Sequence, residues 1–250
     1  MGDTLIKLLG WRATVLHGDP TTYDRWAWLK RQLLPGPLRT LDAGCGSGSF
    51  TMFAAKAGNE SMGISFDERN FRLAETRAQL LGIKNVKFVL GDLRKLDTYS
   101  DSLGMFDQII CFETIEHILN DKKLIADLAK MLKPGGRLLL TTPYKHYKPL
   151  YRDGISERED GGHVRWGYTF NELKELFNAS SLEIVVEDYI SGFFSQRITS
   201  LMRRLVQMIP YAIVWALTMP LRLFQVIDTP FTRFFRYPFL SVGVVGIKRQ

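Results

Sequence analysis

Residues 42–48 read Asp-Ala-Gly-Cys-Gly-Ser-Gly, an acid followed by three glycines at alternate positions. Glycine tolerates positive φ and lets a ligand approach the backbone closely. A helix beginning behind such a loop turns its unpaired N–H groups and positive dipole end towards an anion such as a carboxylate. The spacing Gly44-x-Gly46-x-Gly48 differs from the Gly-x-Gly-x-x-Gly of dinucleotide-binding loops. Asp42 beside the turn suits a ligand bearing an ammonium group rather than a pyrophosphate.

A second cluster lies downstream, Glu113-Thr-Ile-Glu116-His117. Two carboxylates and an imidazole can bind a divalent ion, which lowers the pKa of a coordinated hydroxyl. The imidazole alone can also serve as a base near neutral pH. A long segment, residues 142–167, adds Tyr144, His146, Tyr147 and His163, and Gly161-Gly162-His163-Val164-Arg165 offers a way to set His163 over a target. Solvated or structural roles are the competing reading of these histidines.

The elements that must position these groups alternate along the chain. A helix is expected from Asp19-Pro20 to Leu34, ended by Pro35-Gly36-Pro37. Strands follow at Thr40–Ala43, Ser61–Ser65, Val86–Leu90, Phe106–Phe112 and Arg137–Thr141, separated by helices over Gly48–Ala57, Glu68–Leu81 and Lys122–Leu132. A turn is expected at Lys133–Gly136. Thr169-Phe-Asn-Glu172 reads as a capping box opening a further helix, and Ser181–Tyr189 and Ser241–Lys248 as the last strands. This alternation implies an α/β protein with a doubly wound parallel sheet, where loops at the carboxyl ends of the strands bind ligands.

The residues from Asp42 to Gly48 resemble motif I of the class I methyltransferases. Gly91-Asp92-Leu93, Phe106-Asp-Gln-Ile-Ile-Cys111 and Leu132-Lys-Pro-Gly-Gly-Arg137 resemble the later motifs of that family, in order and at fitting separations. The resemblance covers roughly residues 38–142 and, more loosely, extends to 189. It implies a Rossmann-like, seven-stranded, mostly parallel sheet with an antiparallel last strand, and S-adenosylmethionine as the methyl donor. On the same basis Asp42, Gly44, Cys45, Gly46 and Gly48 hold its amino-acid end, and Asp92 with Leu93 meets the adenine. Cys111 closes the fourth-strand motif, and Tyr23 matches a lid position that touches the cofactor, with packing alone as its competing reading. The acid that usually chelates the ribose is replaced, because Gly63-Ile-Ser65-Phe-Asp67 puts Ser65 there and Asp67 two residues later. Either residue serves the ribose, or Asp67 only caps the helix behind it.

Glu113-x-x-Glu116-His117 resembles the segment that holds a divalent metal in ubiquinone-pathway O-methyltransferases and small-RNA 2′-O-methyltransferases. It implies Glu113, Glu116 and His117 as ligands of an ion such as Mg, with His117, His163 and His146 as catalytic candidates. A Glu-His pair here is also compatible with metal-free enzymes acting on small molecules.

The net charge of +7 is unevenly placed, since eight basic residues and a single acid, Asp228, follow residue 189. That excess lies within and beside an apolar stretch, so residues 190–240 are expected to form an insertion distinct from a methyltransferase domain of residues 1–189 and 241–250. Ile198, Leu201, Met202, Leu205, Val206 and Ile209 recur at helical spacing there, before breaks at Pro210 and Pro220 and an aromatic-basic run. The apolar run is too short and interrupted to span a bilayer but suits its interface. A membrane surface, a lid and a homodimer interface are the three readings of it. Nucleic acid fits less well, because the arginines are interleaved with apolar residues and a base-amino methyltransferase signature is lacking. A non-catalytic cofactor-binding scaffold is the remaining alternative. Two cysteines without a disulfide framework and an N-terminus lacking signal or myristoylation features point to the cytoplasm, with peripheral contact to the membrane. The expected function is methylation, at oxygen, of a small lipophilic acceptor.

Overall fold

A computed structural model describes residues 3–148 and 154–249 of the chain. Seven strands form one sheet: β1 Arg39–Ala43, β2 Glu60–Ser65, β3 Val86–Leu90, β4 Phe106–Phe112, β5 Leu132–Pro143, β6 Leu182–Ile190 and β7 Ser241–Lys248. Their order is β3-β2-β1-β4-β5-β7-β6, with β7 antiparallel between β5 and β6 and the other pairings parallel. The strand order reverses between β1 and β4, so their carboxyl ends open the crevice where such sheets bind ligands.

The helices are α1 Asp3–Leu9, α2 Arg12–Leu16, α3 Pro20–Gln32, α4 Ser49–Lys56, α5 Glu68–Leu80, α6 Ser100–Leu103, α7 Asp121–Met131, α8 Phe170–Ala179, α9 Phe193–Leu205, α10 Tyr211–Thr218 and α11 Gln225–Phe234. Alternation along β4 and β5 sorts their side chains between two cores. Ile109, Leu138 and Leu140 pack with Leu124 and Leu128 of α7 and Leu173 and Phe177 of α8. Ile110 and Leu139 pack on the other face with Trp28 and Leu29 of α3 and Ala54 of α4. Burial on both faces is why these strands read as unbroken apolar runs rather than as alternating ones. Caps fix the helix starts: Asp19 accepts from the Thr22 N–H at 2.9 Å, and Thr169 and Glu172 form the reciprocal box.

One local expectation changes, and one run without an assigned element proves regular. Lys133–Gly136 is no free turn: it lies inside β5, where pairing jumps from Phe106–Leu132 to Gln108–Arg137 and Gly135 takes φ +74°. The extra residues bulge out of the ladder without ending the strand. The aromatic-basic run is also regular, because a 3-10 turn over Pro220–Phe224 leads directly into α11, with Pro230 inside it.

The segment from α9 to α11 rests on the N-terminal part of the chain. Trp215 Nε1 and Arg222 Nη1 donate to the Leu16 carbonyl at 3.0 and 2.9 Å, and Gln225 Nε2 donates to Asp24 Oδ1 at 2.8 Å. Among the described residues no single helix is long and apolar enough to cross a membrane; α10 and Pro220–Phe234 meet that length and composition only as a pair bent by 42°.

Candidate active site

The glycine loop leaves β1 and is tied to β2, because the Gly44 and Cys45 N–H groups both donate to the Ile64 carbonyl, at 3.1 and 2.9 Å. Gly44, Gly46 and Gly48 take φ of +88°, +51° and +79°. A Cβ on Gly44 would stand 2.3 Å from Thr114 Oγ1, and one on Gly48 2.8 Å from the Phe88 ring, whereas one on Gly46 would meet nothing within 4 Å. Packing therefore demands the outer two glycines, and the middle one borders open space. The loop has two braces that sequence reasoning missed. Arg77 Nη1 of α5 donates to the Ser47 carbonyl at 3.2 Å, and Trp11 Nε1 donates to the Ser49 carbonyl at 2.7 Å. Arg77 lies on the buried face of α5 with Ala74 and Ala78, a small signal that could have exposed it.

Asp42 is buried under the loop and accepts from Thr51 Oγ1 at 2.7 Å. Burial pushes its carboxyl up to about 7. A cation laid beside it would favour the ionised form. Cys45 and Cys111 are free, buried thiols, pushed up by burial. Cys111 belongs to the core beneath the site, so its side chain is packing and offers no surface to a ligand. Leu93 is in the same core.

At the end of β2, Asp67 Oδ1 accepts from the Asn70 N–H at 2.7 Å and so caps α5. The buried Ser65 hydroxyl donates to the Asp67 carbonyl at 3.2 Å. Past β3, Asp92 is clasped by its neighbour Arg94, with Nε–Oδ1 at 2.8 Å and Nη2–Oδ2 at 2.7 Å, which holds its carboxyl below the usual range. The same guanidinium lies 5.0 Å from the centre of the Phe66 ring. Tyr23 stacks edge-on against Trp26 at 5.2 Å within an aromatic cluster containing Trp11 and Phe53.

After β4 the chain turns at Glu113, which takes φ +47°. Glu113 pairs with Arg25 of α3 at 3.2 Å and accepts from Thr141 Oγ1 at 3.1 Å. It thus faces α3 and β5, which corrects its expected place beside His117. Glu116 is fully buried; Oε2 accepts from Thr142 Oγ1 at 3.1 Å, and Oε1 has no hydrogen-bond partner among the described residues. Burial and the neighbouring Glu113 charge raise its carboxyl well above the usual range.

His163 takes the place expected for Glu113. Its ring lies edge-on to His117 with centres 4.7 Å apart, and one ligand atom from each of Glu116, His117 and His163 lies within 4.8 Å of the others. The segment bearing His163 is strapped over the β4 loop: the Val164 N–H donates to the Glu116 carbonyl at 2.9 Å, and Arg165 Nη2 to the Ile118 and Leu119 carbonyls at 2.8 Å. His117 Nδ1 stands 3.0 Å from the Gly162 carbonyl. A carbonyl only accepts, so this contact puts the proton on Nδ1 and leaves the Nε2 lone pair for a proton or an ion. His146 is elsewhere, against Tyr144 at 5.3 Å, in a cleft of about 950 Å³ also lined by Arg165, Trp166 and Glu172. It does not join the pair.

One carboxylate with two imidazoles suits a divalent transition ion better than Mg, which prefers an octahedral set of oxygens. The unpartnered Glu116 oxygen makes the cluster a fitting site for such an ion.

The reversal point of the sheet and the glycine loop at the end of β1 are those of a ligand-binding α/β protein. The family follows from comparison: the methyltransferase domain profile matches residues 36–180, and the chain belongs to that family, of the class I S-adenosylmethionine-dependent type. It is 29% identical over 147 residues to the uncharacterized methyltransferase YcgJ of Bacillus subtilis, covering 58% of this chain and 56% of that one. It is 31% identical over 121 residues to the ubiquinone biosynthesis O-methyltransferase of Bordetella avium, covering 47% of this chain and 48% of that one. The chain thus spans about half the length of these curated relatives. Its fold is shared by the crystal structure of YcgJ, with a TM-score of 0.57 at 21% identity over 91% of this chain and 99% of that one. It is also shared by the [4+2]-cyclase SpnF, with a TM-score of 0.63 at 19% identity over 91% and 82%. The cyclase shows that this fold alone does not fix the reaction.

Proposed function

We propose that the protein transfers the methyl group of S-adenosylmethionine to a hydroxyl of a small lipophilic acceptor. The observation that carries this reading is the convergence of Glu116, His117 and His163, the first two on the segment after β4 whose Thr114 lies against Gly44 of the glycine loop. Held in that loop, S-adenosylmethionine supplies an electrophilic methyl group on a sulfonium. Asp42 would pair with its ammonium group, and the N–H groups at the start of α4 would hold its carboxylate. Much of the rate comes from alignment, worth roughly 7–11 kcal/mol in oriented displacements. As the acceptor oxygen takes the methyl group its proton must leave, and His117 Nε2 is the group available to receive it. A lipophilic acceptor is supported by the exposed apolar residues of α10 and α11 and by the likeness to ubiquinone biosynthesis O-methyltransferases.

A second form of this reading is favoured by the orphaned Glu116 oxygen. Glu116, His117 and His163 would then hold a divalent ion, which would lower the pKa of the acceptor hydroxyl.

The test is transfer of tritium from methyl-labelled S-adenosylmethionine to hydroxylated quinone-like compounds and lipid extracts, read in the organic phase. Label is expected there, and His117→Ala is expected to lower kcat by roughly 10²–10⁴-fold while S-adenosylhomocysteine binding persists. Loss of transfer on chelation, restored by Zn or Mn, selects the ion-assisted form. Label confined to the aqueous phase with every acceptor would overturn the proposal.

A further inference from the structure

The outer surface of the segment from α9 to α11 is apolar, and none of the described residues covers it. Asp228 and Thr232 turn inward, and the opposite side of the same helical stretch carries Leu223, Val226, Ile227, Pro230 and Phe234 at helical spacing. Leu223 is 77%, Val226 84% and Phe234 81% exposed. Met208, 81% exposed, and Ile213 and Leu217 of α10 extend the surface. Exposed apolar side chains gathered on one face and rimmed by polar residues mark an interaction site.

The charge around it is of one sign. Residues 190–240 contain six arginines and one acid, and that acid, Asp228, is buried. Its carboxylate accepts from the Phe194 and Ser195 N–H groups at 2.8 and 3.0 Å, holding the start of α9. Arg203, Arg204, Arg233 and Arg236 are exposed, so the rim of the apolar surface is basic. Arg233 stands on the outward side of α11 among the apolar residues.

We propose that this face docks the protein on the surface of an anionic bilayer, with the helices in the plane of the interface. An apolar strip bordered by arginines and aromatics matches that depth, where apolar side chains reach roughly 5–10 Å into the headgroup boundary and basic ones meet lipid phosphates. A second copy fits less well, since a symmetric pairing of this face sets arginine against arginine. A nucleic acid would leave the apolar strip against phosphates. The docking does not depend on the methyl-transfer reading.

The test is flotation of the full chain with vesicles of phosphatidylcholine alone or mixed with phosphatidylglycerol. Binding to the mixed vesicles is expected to be at least tenfold tighter, and to weaken as salt rises from ~0.1 to ~1 M and the screening length falls from about 10 to about 3 Å. Leu223→Asp with Val226→Asp is expected to weaken it more than tenfold. Arg233→Gln with Arg236→Gln is expected to weaken it roughly 25-fold, at about fivefold per arginine. All four side chains are exposed, so melting temperature and S-adenosylhomocysteine binding should not change. Intact protein that stays with the aqueous phase, variants that float like the parent, or a dimer in sedimentation that Leu223→Asp with Val226→Asp dissolves would each overturn the proposal.

Discussion

Asp42 carries the most chemistry at the scale of a residue. Its carboxyl is raised from 3.8 to about 7 by burial, with the Thr51 hydroxyl only partly offsetting it. The folded protein therefore holds a proton there that the unfolded chain gives up. This stabilises the ligand-free protein below about pH 4, and the contribution is lost as pH rises towards 7, amounting to up to about 4 kcal/mol. Asp42→Asn removes that loss, so at pH 8 the ligand-free variant should melt several degrees higher than the parent in a thermal scan. Binding runs the other way, because only the ionised carboxylate pairs with an ammonium. Affinity for S-adenosylhomocysteine should rise with pH up to about 7 and then level, and in Asp42→Asn it should be weak and flat. The place of Asp42 beside the loop was legible in the sequence because it follows from the local spacing of the glycines. The replacement of Glu113 by His163 was not: it depends on Arg25 drawing Glu113 towards α3 and on the strap carrying His163 back over β4, contacts between distant residues that spacing does not encode.

The glycine loop and the helix behind it are the element on which the site depends. Gly46→Ala should leave a folded protein, at a cost of about 1–2 kcal/mol for the left-handed backbone, but lose cofactor affinity at least tenfold, because the new methyl group enters open space beside the ligand. Gly48→Ala should do the reverse damage. Its Cβ would press on Phe88 and Ala74 at 2.8 and 2.9 Å, so stability in urea should fall further than for Gly46→Ala. Strand and helix order could be read in advance, since each apolar run is bounded by Gly, Pro or capping residues. The Lys133–Gly136 bulge could not, because the residues of a bulge and a turn are alike and only the register with β4 separates them. Helix α11 was hidden by Pro230 and by apolar residues on its outward face, which blur the inward stripe that a soluble helix shows.

For the whole molecule, the charge asymmetry and the segment between β6 and β7 set the behaviour. Asp228 fastens that segment by accepting from two backbone N–H groups at the start of α9 and from Thr232 Oγ1 at 3.2 Å. Asp228→Ala strands those buried donors and should cost about 1–3 kcal/mol. Hydrogen exchange should then quicken in α9 and α11 while β1, β4 and β5 keep their protection; uniform quickening would mean that the segment and the sheet unfold together. The central claim is that the loop after β1 binds S-adenosylmethionine through Asp42. It is tested most directly by calorimetric titration of S-adenosylhomocysteine into the intact protein and Asp42→Asn at pH 8. Micromolar binding by the parent, lost in a variant that melts no lower, is the expected result. No binding by the parent, or equal binding by the variant, would contradict the account.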